Sequence, residues 1–282
     1  MSQAQLMDGT GLARRIVEET AKRAADLTGR TGVAPCLATV LVGEDPASVT
    51  YVRMKQNRSR KAGIESRHVA LPAGTTTAEL IGTLTALSAD PAVHGILLQH
   101  PMGHHIDERA AFEAIAPEKD VDGVTLASFS AMSFGLPGFA SCTPGGIMRL
   151  LDEYDVDPAG KRAVVVGRSA ILGKPVGMLL LGRDATVTYC HSRTADLSAV
   201  VREADIVVAA VGRPRLIRGE DIKPGAVVVD AGYNPGNIGD VDFDSAREQA
   251  SLITPVPGGV GPMTIATLLA QTVEAATRQT GA

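Results

Sequence analysis

Tyr51 and Lys55 stand four residues apart in Tyr51-Val52-Arg53-Met54-Lys55. On a helix that spacing puts a phenol and an amine on one face. An amine in a partly dry site loses basicity and can pass protons near neutral pH. The same pair also reads as a solvated lysine above a half-buried tyrosine. Gln99 closes an apolar run, at a strand end of the kind where α/β folds collect functional side chains. An amide there can orient a lysine or a water, or serve packing alone. In Lys119-Asp120-Val121-Asp122-Gly123, two carboxylates lie two apart before a glycine. One reading is a turn in which an aspartate bonds its own backbone. The other is a carboxylate that grips an N–H-rich heterocycle through paired hydrogen bonds. Thr254 to Thr264 sets three prolines and three glycines around Val256, Val260 and Met263. That mixture suits a loop with backbone groups turned toward a ligand better than a plain linker.

A second constellation points to a phosphate. The β-branched run Val164-Val165-Val166 meets Gly167-Arg168-Ser169, and Gly173-Lys174-Pro175 leads into a helical pattern over 176–181. Strand, glycine turn and helix together offer backbone N–H groups and a helix N-terminus to an anion. Gly167 and Gly173 do not spell the dinucleotide fingerprint, and alone they equally describe a structural turn. The next strand, Thr186 to Cys190, runs into His191-Ser192-Arg193-Thr194. An acid for the NAD ribose belongs near this place. A hydroxyl and a cation stand there instead, and both suit a 2′-phosphate. The expected cofactor is therefore NADP.

Alternating helix and strand patterns must position these groups. Helices are expected over Leu12–Leu27, from Asp45-Pro46 to about Lys61 with Gly63 as the stop, and over Thr77–Ser88 with Thr77 as the cap. Strands are expected at Leu37–Val42, Ile64–Leu71 and Val93–Leu98. Beyond them come Ala163–Val166, Thr186–Cys190, Ile206–Val211, Ala226–Asp230 and Leu252–Thr254. Phe134 to Gly146 reads as a domain boundary, and Met263 to Arg278 as the last helix, which is expected to pack on the first domain. The class is α/β with parallel sheet. Two domains with a cleft between them are expected.

The chain has 282 residues, enough for two full cores, and a net charge of −4. That balance argues against a nucleic-acid or membrane-surface partner. With no tryptophan and 3% aromatics, base-stacking platforms are not expected. Met1 to Leu6 has no basic leader pattern, so a soluble cytoplasmic protein is expected. Cys36, Cys142 and Cys190 are too scattered for a disulfide framework or a zinc site. His104-His105 has no third ligand spaced to join it, so no metal is expected.

Taken together, several segments resemble the bifunctional methylenetetrahydrofolate dehydrogenase/cyclohydrolase family over nearly the whole chain. They are Gly43-Glu44-Asp45-Pro46-Ala47-Ser48, Tyr51 to Lys55, Gln99, Lys119 to Gly123 and Cys142-Thr143-Pro144. Val166 to Ser169, Cys190 to Thr194 and Thr254 to Thr264 complete them. The resemblance implies an N-terminal α/β catalytic domain and a C-terminal Rossmann-type NADP-binding domain. The first would comprise 1–143 plus 264–282 and bind folate; the second would comprise 144–263. It implies oxidation of 5,10-methylenetetrahydrofolate by NADP, then hydrolysis of the methenyl product to 10-formyltetrahydrofolate. Lys55 would be the catalytic lysine of the hydrolysis, tuned by Tyr51 and Gln99, with Asp122 anchoring the pterin. Pro257, Gly258, Gly259, Pro262 and Thr264 would touch folate and the nicotinamide end. Gly167, Arg168, Ser169, Ser192 and Arg193 would hold the ribose-phosphate region, with Tyr233 over the cofactor. A homodimer is also implied.

The chain departs from the family pattern at His100, Met102, Val124 to Ser128 and Ser141. Those departures flank Gln99 and Asp122. They keep two alternatives open: a dehydrogenase with weak or absent hydrolysis, and a non-catalytic NADP- or folate-binding protein.

Overall fold

The computed structural model describes residues 3–43 and 56–282. The chain opens with β1 (Gln5–Leu6) and α1 (Gly9–Thr31), followed by β2 (Cys36–Val42), β3 (Glu65–Leu71), α2 (Thr77–Ala89) and β4 (Gly95–Leu98). Short helices α3 (Glu108–Glu113) and α4 (Leu126–Ser133) lead to α5 (Cys142–Glu153). Then come β5 (Arg162–Val166), α6 (Gly173–Leu181), β6 (Thr186–Cys190), α7 (Leu197–Arg202), β7 (Ile206–Ala209) and β8 (Val227–Asp230). The last elements are α8 (Phe243–Arg247), β9 (Leu252–Ile253) and α9 (Val260–Thr280).

The chain divides into two compact units. One comprises 1–14, 132–136 and 141–265; the other comprises 15–131, 137–140 and 266–282. The larger sheet belongs to the first unit and has the order β1-β9-β8-β7-β5-β6. Every pair in it is parallel. Its central strands are buried along their length, and this is why they read as unbroken apolar runs. On one face Val164, Val166, Val207, Ala209, Val228 and Ile253 join Val201, Ile217, Ile222, Val241 and Ala246 in a single core.

The second unit holds a parallel sheet in the order β3-β2-β4. The central strand β2 is wholly buried, whereas β3, at the edge, is mostly exposed. Leu80, Leu84 and Leu87 form the buried stripe of α2 at helical spacing. The cap of α2 is Thr76, not Thr77: its hydroxyl accepts from Glu79 N–H while the Glu79 carboxylate accepts from Thr76 N–H. In the C-terminal part of α9, Leu268, Leu269, Val273 and Ala276 are buried. Gln271 Nε2 donates to Val121 O at 2.7 Å and to Ala140 O at 3.0 Å.

Several boundaries differ from the sequence expectation. The stretch read as a domain boundary ends in α5, which starts at Cys142 and takes Pro144 into its first turn. Proline is tolerated there because first-turn N–H groups have no partner in the helix. For the same reason α9 begins at Val260 and takes in Pro262, three residues before the expected start. Of the helix expected from Asp45-Pro46 to about Lys61, residues 56–61 are helical, and 44–55 lie outside the described residues.

Candidate active site

The six-stranded sheet aligns one group of expected site residues along its carboxyl edge. Strand β5 pairs in parallel with β6 on one side and β7 on the other, so the order in which strands are added reverses beside β5. Open parallel sheets bind ligands at such a switch point. Gly167 has φ +137°, and its N–H donates to Cys190 O at 2.9 Å. A Cβ on Gly167 would lie 2.3 Å from Ala210 O, and one on Gly173 would lie 2.5 Å from Gly167 O. Both glycines are therefore required by close backbone approach. Ser169 Oγ accepts from Gly173 N–H at 3.2 Å, pinning the turn to the start of α6. Tyr189 steadies the same helix by donating to Lys174 O at 2.8 Å, and burial raises its phenol pKa.

Because Val166 pairs with Cys190, the 167–169 turn lies beside the turn that follows β6. In that second turn Thr194 Oγ1 accepts from His191 N–H at 2.8 Å, and His191 Nδ1 accepts from Arg193 N–H at 3.2 Å. Arg168, Ser169, Ser192 and Arg193 are all exposed. The result is a pair of adjoining turns at the sheet's carboxyl edge that expose two cations and two hydroxyls, with no carboxylate among these four. Their donor set fits a dinucleotide phosphate.

Tyr233, 73% exposed, follows β8 at the same edge, and its hydroxyl donates to Asn237 Oδ1 at 3.0 Å. The segment after β9 is less free than its composition suggests. Gly258 O accepts from Thr10 N–H at 2.9 Å, and Gly259 N–H donates to Pro255 O at 2.8 Å. Pro257 is exposed and Pro262 half-buried. Thr264 Oγ1 lies 2.9 Å from Thr143 Oγ1.

In the second unit, Gln99 follows β4; its N–H donates to Val40 O, and its Nε2 donates to His100 O at 2.8 Å. His100 meets the Phe112 ring edge-on. The two carboxylates of the 119–123 turn separate clearly. Asp120 is fully buried and accepts from Val124 N–H, Thr125 N–H and Ser128 Oγ. That aspartate is the turn-builder. Asp122 is half-buried. Lys119 is buried with its Nζ donating to Asp90 O at 2.6 Å, and desolvation lowers its pKa. Val121 packs against Gly95, the first residue of β4, whereas Gln99 follows the last. Tyr51 and Lys55 lie outside the described residues.

Two buried carboxylates went unnoticed in the sequence. Asp230 accepts backbone N–H from Gly232, Asp240 and Val241 at 2.9–3.0 Å. Burial, with Asp240 adding to it, pushes its pKa up to about 6 against the pull of those donors. Asp240 accepts from Val211 N–H at 2.6 Å, Gly212 N–H at 2.9 Å and Asn234 Nδ2 at 3.1 Å. Neither follows a compact motif: Asp230 takes Gly232 two residues on but also Asp240 and Val241 at the far end of the loop after β8, and Asp240 takes Val211 and Gly212 from the loop after β7. The glycines of Asp230-Ala231-Gly232 and Gly239-Asp240 were the available hint.

Residues 7–122 match the catalytic-domain model of tetrahydrofolate dehydrogenase/cyclohydrolase. Residues 141–280 match the NAD(P)-binding-domain model of the same family. The chain belongs to the tetrahydrofolate dehydrogenase/cyclohydrolase family. Bifunctional protein FolD 1 of Streptomyces avermitilis is 81% identical over 278 residues, covering 99% of this chain and 97% of that protein. Bifunctional protein FolD of Shouchella clausii is 58% identical, covering 99% of each. A solved FolD structure from Trypanosoma brucei, complexed with NADP and an inhibitor, superposes with a TM-score of 0.96 at 40% identity, covering 100% of both chains. The bifunctional FolD from Campylobacter jejuni superposes at 0.95 with 43% identity, covering 98% and 99%. The family's two named parts, catalytic and NAD(P)-binding, agree with the α/β architecture of parallel sheets.

Proposed function

We propose that this protein oxidises 5,10-methylenetetrahydrofolate with NADP and hydrolyses the resulting methenyl cation to 10-formyltetrahydrofolate. Membership of the dehydrogenase/cyclohydrolase family carries this reading. The high identity to bifunctional relatives over full length supports both activities rather than one. The observation in the molecule itself that supports NADP is the pair of turns beside Gly167 that expose Arg168, Ser169, Ser192 and Arg193. In this reading 144–263 form the NADP-binding domain, and 1–143 with 264–282 form the folate-binding domain.

The chain's residues divide the work. Gly167 and Gly173 let the protein backbone close up beneath the cofactor, and Arg168, Ser192 and Arg193 hold its ribose-phosphate end. Tyr233 covers part of it. When bound, NADP supplies the acceptor for the two electrons and hydrogen leaving the folate's one-carbon bridge. The folate nitrogen lone pair drives that loss, so no strong protein base is needed, and alignment is the main demand. Asp122 anchors the pterin, while Pro257, Gly258, Gly259, Pro262 and Thr264 line the folate. Lys55 moves the proton during attack of water on the methenyl carbon, with Tyr51 and Gln99 setting its position and basicity.

The same reading includes a homodimer, by family likeness, and a cytoplasmic location. Among the described residues no helix is long and apolar enough to cross a membrane. The net charge of −4 lends no support to a nucleic-acid partner.

A dual-wavelength assay with 5,10-methylenetetrahydrofolate and NADP tests the proposal. The expected result is NADPH formation with little methenyl build-up, and hydrolysis of added methenyl substrate faster than in buffer. Accumulating methenyl product would reduce the protein to a dehydrogenase. Cofactor binding without turnover would overturn the enzymatic reading.

A further inference from the structure

We infer that Asp240, held in place by Asp230, is a positioning residue for the dinucleotide-binding turns: it sets the Val211–Gly212 turn beside Gly167 without touching the cofactor. The inference rests on the NADP reading above.

The path from carboxylate to those turns is short and continuous. Ala210 N–H donates to Val166 O at 2.8 Å, and Ala210 O fills the space where a Gly167 Cβ would stand. The next two residues, Val211 and Gly212, both donate their N–H groups to one oxygen of Asp240. Two successive N–H groups aimed at one point form an anion site. Here a side chain of the protein fills it, so this turn is shaped by an internal carboxylate and is not left open for a phosphate. The other Asp240 oxygen takes Asn234 Nδ2, which also donates to Ile238 O at 3.1 Å. Asp240 thereby ties the loop after β7 to the loop after β8 that carries Tyr233.

Asp230 supports the tie from below. It lies at the end of β8 and accepts N–H from Asp240 and Val241, while its own N–H donates to Thr254 Oγ1 at 2.7 Å. The fit leaves no slack. A Cβ on Gly232 would come within 2.2 Å of the Asp240 carboxyl carbon, and one on Gly239 within 1.9 Å of an Asp230 oxygen. Asp240 is fully buried and Asp230 nearly so. A buried carboxylate satisfied by several N–H donors locks the geometry of the groups that donate to it.

The test compares wild type, Asp240→Asn, and the exchange Asp240→Asn with Asn234→Asp. In the single variant, the introduced amide can accept from the Val211–Gly212 turn through its oxygen, but its NH₂ then opposes that of Asn234. In the exchange, the new amide at position 240 donates to the new carboxylate at position 234. Ile238 O keeps its backbone donor, the N–H of residue 234. Expected is a rise of about tenfold in the NADP dissociation constant for the single variant. Methenyl hydrolysis should stay near the wild-type rate, and the exchange should recover most NADP affinity. Equal loss of both activities, or unaltered NADP binding in a folded variant, overturns the inference. Amide hydrogen exchange on the wild type keeps the test independent of variant folding: Val211 and Gly212 should be protected without cofactor, and exchange at exposed-loop rates overturns the latch. Wild type that binds no NADP overturns the site reading and this inference with it. Binding by wild type that Asp240→Asn leaves unchanged overturns this inference alone.

Discussion

NADP differs from NAD by one phosphate, and Arg168 is an exposed cation with no acidic neighbour in its turn. A charge-assisted contact to that phosphate is lost in Arg168→Ala. The NADP KM should rise about tenfold while that for NAD changes little. Steady-state kinetics with both cofactors decide, and an unchanged preference removes Arg168 from the site. Lys55→Met should lower methenyl hydrolysis about 100-fold or more while dehydrogenase turnover survives. Equal loss of both in a folded protein counts against a separate proton-transfer role. Asp230 makes a different prediction. Its folded pKa of about 6 lies above the unfolded value, so the folded state holds its proton more tightly. Its contribution to stability is fully present below the unfolded value and is lost as pH rises through the folded one. The stability advantage of wild type over Asp230→Asn should therefore shrink by about 3 kcal/mol between pH ~3 and pH ~8. Urea unfolding at several pH values measures this; a constant difference defeats it. At this scale Arg168 and Ser192 were legible as candidates, because each stands two residues beyond a strand end. The sequence hid Asp230 and Asp240, because most of their N–H donors lie ten residues or more away along the chain.

Strands proved more legible than helix ends. Central strands of a parallel sheet are buried on both faces, so β5 and β7 announce themselves as apolar runs, while the edge strand β3 alternates. Helix starts obey subtler rules. Thr76 and Thr77 are chemically identical candidates, and only the reach of Glu79 back to Thr76 decides between them. Val260-Gly261-Pro262 reads as loop by composition, yet it forms the first turn of α9. The capping box gives a direct prediction. Thr76→Ala should destabilise the protein by about 1 kcal/mol, with amide exchange rising first at the start of α2. Urea unfolding and exchange measurements test it, and protection unchanged at that helix end would show that the cap carries no weight. The expectation for 45–55, where Tyr51 and Lys55 fall, lies outside the described residues and rests on spacing and family likeness.

Across the whole molecule, neither unit is a continuous stretch of chain. Residues 266–282 belong to the second unit, where Gln271 satisfies two backbone carbonyls and Gln279 Nε2 donates to His94 O at 2.8 Å. Removing 266–282 would uncover Leu268's and Val273's buried partners and orphan those carbonyls. The truncated protein should lose exchange protection in β2 and β4. Retained protection there would mean that the second unit stands without α9. The sequence showed two domains through composition and element order. Which segments cross between them was much harder to see, since a helix carries no mark at the residue where its packing partners change.

The two-residue strand β1 pairs with β9 through Gln5↔Leu252 and Leu6↔Ile253. Its neighbours along the chain offer it no sheet, so a ribosome must release some 250 residues before this ladder can close. Until then the opening segment lacks its partner strand. Synthesis thus runs from β1 toward β9, but completion of the larger sheet runs the other way, with the first strand made docking last. Pulse-labelled exchange on stalled nascent chains would register the order as late protection of Gln5 and Met7, whose N–H groups donate to Ser251 and Ile253. Protection of these amides before residue 253 emerges would reverse it.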